Sequence, residues 1–442
     1  MIIKQKTVAF ADPQMDNEII QKLWNGFCLK SGEIEFAEGD RFTFRIGEIG
    51  LPTRPCGKEY ALCINEAGAA VVGRDYGGLM RGFMALLMKI EWDGQTPFLR
   101  PCNEESNYKL SKRMIHICIF PENDLYFIQK LIRLSALCQY THIVLEFWGM
   151  LQFDCMKELA WPHAFTKTQA KALAEECHAL GIEPIPMFNH LGHASACRIS
   201  YGKHVVLDQN PRLQHLFTPD GWVWNIESEQ TKALLKQVRS ELYEVFGEGE
   251  YIHLGCDEAF YISRNKDLRS KLPAYLKELT EEVEKEGRRP MIWMDMLLEK
   301  GIDANSEASG EKDEVLQLRN ATAPSTAFID WQYDGLEAPI PSLLSLKGCG
   351  REILGAPWFK PANYEAHIQT VCQNNLAGIM LTTWHTLNEE TRSILGCAKK
   401  CGASTFPWSE FSGLREETAS LMRRISFEGN SYADCGWTKT QI

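Results

Sequence analysis

From Asn107 onward the chain repeats one pattern, a short apolar run of β character followed by a stretch whose apolar residues return at helical spacing. Eight runs can be marked: Met114 to Ile119, His142 to Glu146, Glu183 to Met187, Tyr251 to Gly255, Met291 to Met294, Ala327 to Trp331, Ile353 to Ala356 and Gly378 to Thr382. The clearest intervening helices are predicted over Asn123 to Leu137, Thr168 to Leu180, Thr231 to Phe246 and Leu268 to Lys285. Such alternation places parallel strands under crossover helices, and eight repeats close into a (β/α)8 TIM barrel, predicted over residues 109–425.

The first 108 residues read differently. Short strands are predicted at Arg41 to Ile46, Tyr60 to Ile64 and Ala69 to Val72, and a helix beginning at Tyr76 carries Leu79, Phe83, Leu86, Leu87 and Ile90 on one face. The expectation is an α/β chain in which a small N-terminal α+β domain, residues 1–108, precedes the barrel. Gly301 to Arg319 is charged and reads as a surface excursion around a helix, and residues 426–442 read as a C-terminal tail, loosely attached from Asn430.

Composition narrows the partners. With 45% hydrophobic and 24% charged residues the 442-residue chain is of ordinary globular make-up. Its 58 acidic against 47 basic residues give a net charge of -11, a field that repels phosphate backbones and anionic lipid heads, so neither nucleic acid nor membrane is expected as a partner. No apolar run is long enough to span a bilayer and the first residues lack a signal-peptide pattern, which predicts a cytoplasmic protein. Of the 15 cysteines, Cys138, Cys256 and Cys372 sit in apolar or helical stretches, as reduced thiols would. Cys397 and Cys401 can share a helix face, but no second Cys/His pair stands at zinc-site spacing. Nothing in the sequence speaks to oligomeric state.

In a barrel of this kind the chemistry lies where the strands end. The fourth run, Tyr251-Ile252-His253-Leu254-Gly255-Cys256, leads directly into Asp257-Glu258. Two carboxylates at an apolar mouth must be hydrogen-bonded, paired or partly protonated, which suits general acid catalysis. The same dipeptide at Asp313-Glu314 lies in a charged helix and reads as solvated surface, so position and not composition makes the distinction. The third run leads into Asn189-His190-Leu191-Gly192-His193, whose imidazoles match neither HxH nor HExxH spacing; no metal and no cofactor are expected. Trp293, Trp331, Trp358 and Trp384 stand at or just beyond the ends of four successive runs, with Asp295 and Tyr333 beside them. Flat aromatic walls interspersed with carboxylates suit the C–H faces and hydroxyls of a sugar ring. Arg113, just before the first run, offers a forked donor.

These residues resemble glycoside hydrolase family 20, the β-N-acetylhexosaminidases, through His253-Leu254-Gly255-Cys256-Asp257-Glu258, Leu191-Gly192-His193, Trp293-Met294-Asp295-Met296 and Thr382-Thr383-Trp384. The similarity runs from about Arg113 to Trp384 and is greatest to the intracellular, hexosaminidase D-like branch and its bacterial relatives. It implies an exo-acting, retaining enzyme on small glycans or glycoconjugates with terminal N-acetylhexosamine, in which the substrate's acetamido oxygen is the nucleophile. It further implies Glu258 as acid/base, Asp257 as the group that orients the acetamide, and Arg113, His193, Trp293, Asp295, Trp331, Tyr333 and Trp384 as substrate-binding residues. The chain departs from the family at Cys118, where an aspartate is common, and at His385-Thr386, where many members have an acidic residue two positions after the tryptophan. Two other readings stay open at this level, a non-catalytic carbohydrate-binding barrel and a metal-dependent hydrolase using His190, His193 and the carboxylates.

Overall fold

The computed structural model describes residues 2–3, 6–28, 33–36, 42–47, 58–94, 96–194, 207, 210–384, 387–403 and 413–427. His385, Thr386 and the tail from Asn430 lie outside them. Among the described residues no helix is long and apolar enough to cross a membrane.

The N-terminal part is an α+β unit. Its strands are β1 (Lys6–Ala11), β2 (Glu33–Phe36), β3 (Phe42–Ile46), β4 (Tyr60–Ile64), β5 (Ala69–Gly73) and β8 (Cys102–Glu105), which form one sheet in the order β2-β1-β3-β5-β4-β8. Strands β6 (Ile90–Asp93) and β7 (Thr96–Leu99) pair separately as a hairpin. Helix α1 (Asn17–Cys28) packs against β2, and α2 (Tyr76–Leu87) lies on β3, β4 and β5 with its other side against the barrel. Asp75 starts α2 by accepting from the Gly78 N–H, satisfying a donor that has no partner within the helix. Strands β1, β2 and β8 extend the sheet beyond the three expected from sequence.

The barrel closes in the order β10-β11-β12-β13-β14-β15-β16-β9. Its strands are β9 (Lys112–Cys118), β10 (His142–Glu146), β11 (Glu183–Met187), β12 (Tyr251–His253), β13 (Arg289–Trp293), β14 (Ala327–Trp331), β15 (Glu352–Ala356) and β16 (Gly378–Leu381). All pair in parallel. The helices between them are α3 (Leu125–Leu137), α4 (Lys167–Ala179), α5 (Glu229–Phe246), α6 (Phe260–Arg264), α7 (Lys266–Lys285), α8 (Lys312–Ala321), α9 (Pro341–Leu344), α10 (Pro361–Asn374) and α11 (Leu387–Cys401). Side chains cap several of them: Asp124 accepts at α3, a Thr166/Gln169 capping box opens α4, Ser228 begins α5 and Asn265 begins α7. A last helix, α12 (Leu414–Arg424), returns to α1, where Arg424 donates to the Phe27 carbonyl at 3.1 Å.

Because side chains alternate along a strand, each barrel strand sends one set inward and one toward the helices. The inward set makes a separate apolar cluster of Met114, Val144, Ile185, Met187, Met291, Trp293, Ala327, Ile329, Leu354, Ala356 and Met380, with Tyr251 at its lower end. Met114 is inward, so Arg113 is outward. That parity decides the position of one expected site residue.

Candidate active site

Strand β12 ends at His253, and the chain then turns sharply through Gly255, Cys256, Asp257 and Glu258. Gly255, Cys256 and Glu258 have φ of 66°, 73° and 47°, in the left-handed region that side chains rarely occupy. A Cβ on Gly255 would lie 1.7 Å from Asn189 Oδ1, and one on Gly192 would lie 1.9 Å from the Asp257 carbonyl oxygen. The two glycines therefore let the loops after β11 and β12 meet, which brings His193 to the acidic pair. His193 Nε2 stands 3.2 Å from Asp257 Oδ2 and 3.2 Å from Glu258 Oε2. Asp257 is buried and Glu258 is partly open.

The main chain of Glu258 is fixed at both ends. Its N–H donates to Asp295 Oδ2 at 2.8 Å, and its carbonyl accepts from Trp222 Nε1 at 2.8 Å and from the Phe260 N–H at 2.7 Å. Asp295 also accepts from Trp331 Nε1 at 3.2 Å. Each oxygen of Asp295 thus accepts one hydrogen bond from within the protein, one of them from the main chain of Glu258. Burial, reinforced by Asp257, pushes the Asp295 carboxyl well above the usual range.

The aromatic wall is continuous. Trp331 packs on Tyr333 with ring centroids 5.2 Å apart, Tyr333 on Trp358 at 5.3 Å, and Trp293 on Trp384 at 6.5 Å, while Trp384 Nε1 donates to the Tyr333 hydroxyl at 3.1 Å. Beneath it His116 Nε2 is 2.8 Å from Glu146 Oε2, and Asn189 donates to the other Glu146 oxygen at 3.1 Å. Of the expected residues, the structure gathers Asp257, Glu258, His193, Trp293, Asp295, Trp331, Tyr333 and Trp384 around one mouth.

Arg113 is the exception and corrects the expectation from sequence. It stands at the N-terminal end of β9 on the outward face, where it is 2% exposed and bonded to Glu59, Leu110 O and Gln139 O, with its guanidinium 3.5 Å above the Tyr108 ring. It joins the barrel to the N-terminal unit. His190 also stays apart from the acidic pair: its Nδ1 is bonded to the Phe188 carbonyl at 2.6 Å, and burial pushes the imidazole down to about 3.

Sequence reasoning did not single out Trp222, His116 or Asn189. Trp222 lies 36 positions before the residue it bonds, and only the pair of tryptophans in Trp222-Val223-Trp224 marks the place. Trp224 holds the same loop by donating to the Asn189 carbonyl at 2.8 Å.

Comparisons with known proteins agree with this architecture. Residues 144–323 match the family model described as glycosyl hydrolase family 20, catalytic domain. Among solved structures, the chain is similar to a Flavobacterium johnsoniae chitobiase at 13% identity and TM-score 0.68, covering 100% of this chain and 72% of that one. A Streptomyces coelicolor β-N-acetylhexosaminidase gives 14% identity and TM-score 0.67, with 99% and 95% covered. A Vibrio harveyi exo β-N-acetylglucosaminidase, solved with N-acetylglucosamine, gives 13% and 0.66, with 96% and 73% covered. At these identities the likeness is one of fold. No curated protein matches the chain.

Proposed function

We propose, for a barrel that belongs to glycosyl hydrolase family 20 and is a glycoside hydrolase, the activity of an exo-acting, retaining β-N-acetylhexosaminidase. The observation that carries this reading is the single acidic pair. Asp257 and Glu258 are adjacent, share the His193 imidazole, and face an aromatic wall, with none of the sequence-expected site residues supplying a second carboxylate as nucleophile opposite them. A substrate that brings its own nucleophile needs no such residue.

In the first step the acetamido oxygen attacks C1, the C1–O bond to the leaving group breaks, and the Glu258 proton passes to the departing oxygen. Asp257 accepts the acetamido N–H and balances the positive charge of the oxazolinium ion. In the second step the Glu258 carboxylate takes a proton from water as the water attacks C1 and the bond between C1 and the acetamido oxygen breaks, restoring the acetamide, so two inversions give retention. Tyr333, whose oxygen already accepts from Trp384, would hydrogen-bond the acetamido oxygen, and Trp293, Trp331 and Trp384 would enclose the N-acetyl group and ring. His193 would hold the two carboxylates in register, and Asp295 would hold the Glu258 backbone.

Aryl β-glycosides with and without the 2-acetamido group test the mechanism. Glu258→Gln should lower kcat on a poorly activated N-acetylglucosaminide by roughly 10³-fold, within the range for lost general acid catalysis, and Asp257→Asn by about 10² or more. A thiazoline mimic of the oxazolinium should inhibit. Equal hydrolysis of plain glucosides, or unchanged turnover in both variants, would refute the assignment.

A further inference from the structure

We propose that His142, Glu183 and Glu250 form a site for one divalent cation of the zinc type at the N-terminal end of the barrel. This binding function is separate from the acidic pair and independent of the hydrolase reading.

Strand pairing brings the three residues together. His142 opens β10 and Glu183 opens β11, the two are direct partners in the register, and Glu250 immediately precedes β12. Val144 and Ile185 belong to the lumen cluster, so by alternation His142 and Glu183 point the same way. One ligand atom from each of the three residues lies within 4.8 Å of the other two. Because the ligands come from three separate strand starts, no local spacing in the sequence marks them.

The imidazole decides the chemistry. Thr141 Oγ1 donates to the Arg113 carbonyl at 3.1 Å, so it accepts from His142 Nδ1 at 2.8 Å and the ring proton sits on Nδ1. Burial, with Lys112, Arg81 and Arg113 nearby, keeps the ring neutral. Nε2 therefore turns a lone pair toward Glu183 Oε2 at 3.5 Å. That separation exceeds the roughly 2.7–3.2 Å of an N–H···O bond and matches the roughly 3.4 Å between two ligands of a tetrahedral zinc ion with bonds of about 2.1 Å. His142 is only 9% exposed, and two buried acceptors facing each other repel unless a cation stands between them. A histidine whose other N–H is held by a neighbouring oxygen, as Thr141 holds this one, is already oriented as a metal ligand.

The charges nearby leave room for the ion. Lys112 pairs with Glu352, Arg81 and Arg113 pair with Glu59, and Arg289 divides between Glu250 and Glu352. Glu183 has no arginine or lysine partner among the described residues; its Oε1 accepts from the Glu250 N–H at 2.6 Å, which leaves Oε2 for the ion. A cleft of about 600 Å³, which Tyr76, Gly77 and Arg81 of α2 line opposite His142 and Glu183, gives entry and water for the remaining coordination. One imidazole with two carboxylates favours zinc over magnesium or calcium, which take oxygen ligands. The cluster of His116, Cys118 and Glu146 does not compete, because His116 Nε2 and Glu146 Oε2 already share a hydrogen bond at 2.8 Å and all three residues are fully buried.

Calorimetric titration of the full-length protein, stripped with a chelator, tests the site. Zn²⁺ should bind at one saturable site that Mg²⁺ fills roughly a hundredfold more weakly, and Co²⁺ there should give the absorption of a tetrahedral ion without a thiolate charge-transfer band. Glu183→Gln should weaken Zn²⁺ roughly a hundredfold and the more exposed Glu250→Gln about tenfold, and Zn²⁺ should raise the thermal unfolding midpoint of the wild type but not that of Glu183→Gln. Glu250→Gln keeps the test valid if Glu183→Gln fails to fold. Absence of a saturable Zn²⁺ site, equal affinity for Mg²⁺, a thiolate band, or undiminished affinity in either variant would overturn the proposal.

Discussion

The two ends of the barrel are both polar, yet they solve the problem of buried charge in opposite ways. At the N-terminal end Lys112 and Arg289 pair with Glu352, with the Tyr251 hydroxyl donating to Glu352 at 2.9 Å between them. Just outside it, Glu59 pairs with both Arg113 and Arg81. At the C-terminal mouth Asp257, Glu258 and Asp295 gather with one imidazole, His193, on the first two. Balanced ion pairs lower the cost of burial and hold domains together; three acids around one imidazole keep that cost, as the acid catalysis proposed for this mouth requires. Compensation, more than polarity, distinguishes the two ends.

The largest effect should come from breaking the compensated end. Burial pushes the Glu59 carboxyl up, but Arg113 and Arg81 outweigh it and hold it below its ordinary value. Glu59→Gln leaves two buried guanidinium groups facing a neutral amide, and loss of one partner of a buried pair costs about 3–5 kcal/mol. Denaturant unfolding should show that loss while KM for an aryl N-acetylglucosaminide stays unchanged in the folded fraction. A raised KM would return Arg113 to the sugar.

Asp330 tests whether an uncompensated acid always marks chemistry. It lies on the outward side of β14, where Ser342 donates to one oxygen at 2.8 Å and the other is buried without a partner among the described residues. Burial pushes its carboxyl up to about 7. A raised folded value means that its contribution to stability is complete below the unfolded value near 3.8 and is lost as pH rises to about 7. At about 1.4 kcal/mol per unit the loss is capped at roughly 4 kcal/mol. Asp330→Asn should match wild type near pH 4, exceed it at pH 8 in thermal unfolding, and keep full activity. His142 and His190 work the other way: burial pushes each to about 3, so their contribution is lost as pH falls below 6.5. The difference between mutant and wild type cancels them. A loss of activity in Asp330→Asn would break the distinction drawn here between facing the lumen and facing the helices.

Sequence made the barrel legible because its strands are short apolar runs bounded by turns, and β10, β11 and β14 fall on the predicted residues. Asp257-Glu258 was legible for the same reason, as charge where an apolar strand ends. Arg113 was not, because one residue of parity separates the lumen from the outer wall and a run such as Arg113-Met114-Ile115-His116 does not declare which face is which. Met114 in the inward cluster resolves it. Trp222 was hidden for another reason, since its bond to Glu258 is made by folding across 36 positions and no local pattern encodes it. Asp295 was legible as a residue, but its bonds to the Glu258 N–H and Trp331 Nε1 were not, because they are made only in three dimensions.

Those two bonds give the smallest and sharpest prediction. If Asp295 positions the acid, Asp295→Asn exchanges one acceptor for an amide N–H that must face either the Glu258 N–H or Trp331 Nε1, so one hydrogen bond is lost. The same change removes a carboxyl whose ionisation is opposed first by burial and then by Asp257. The two effects oppose each other in stability, so the unfolding free energy should stay within about 1 kcal/mol of wild type, in contrast to Glu59→Gln. Turnover should fall roughly tenfold to a hundredfold, about 1.4–2.7 kcal/mol of transition-state stabilisation, because the Glu258 backbone is strained at φ 47° and loses one of its anchors. The fall should appear in kcat with KM nearly unchanged. A rise in KM alone would instead make Asp295 a substrate ligand, and a large loss of stability would make the mouth as compensated as the floor.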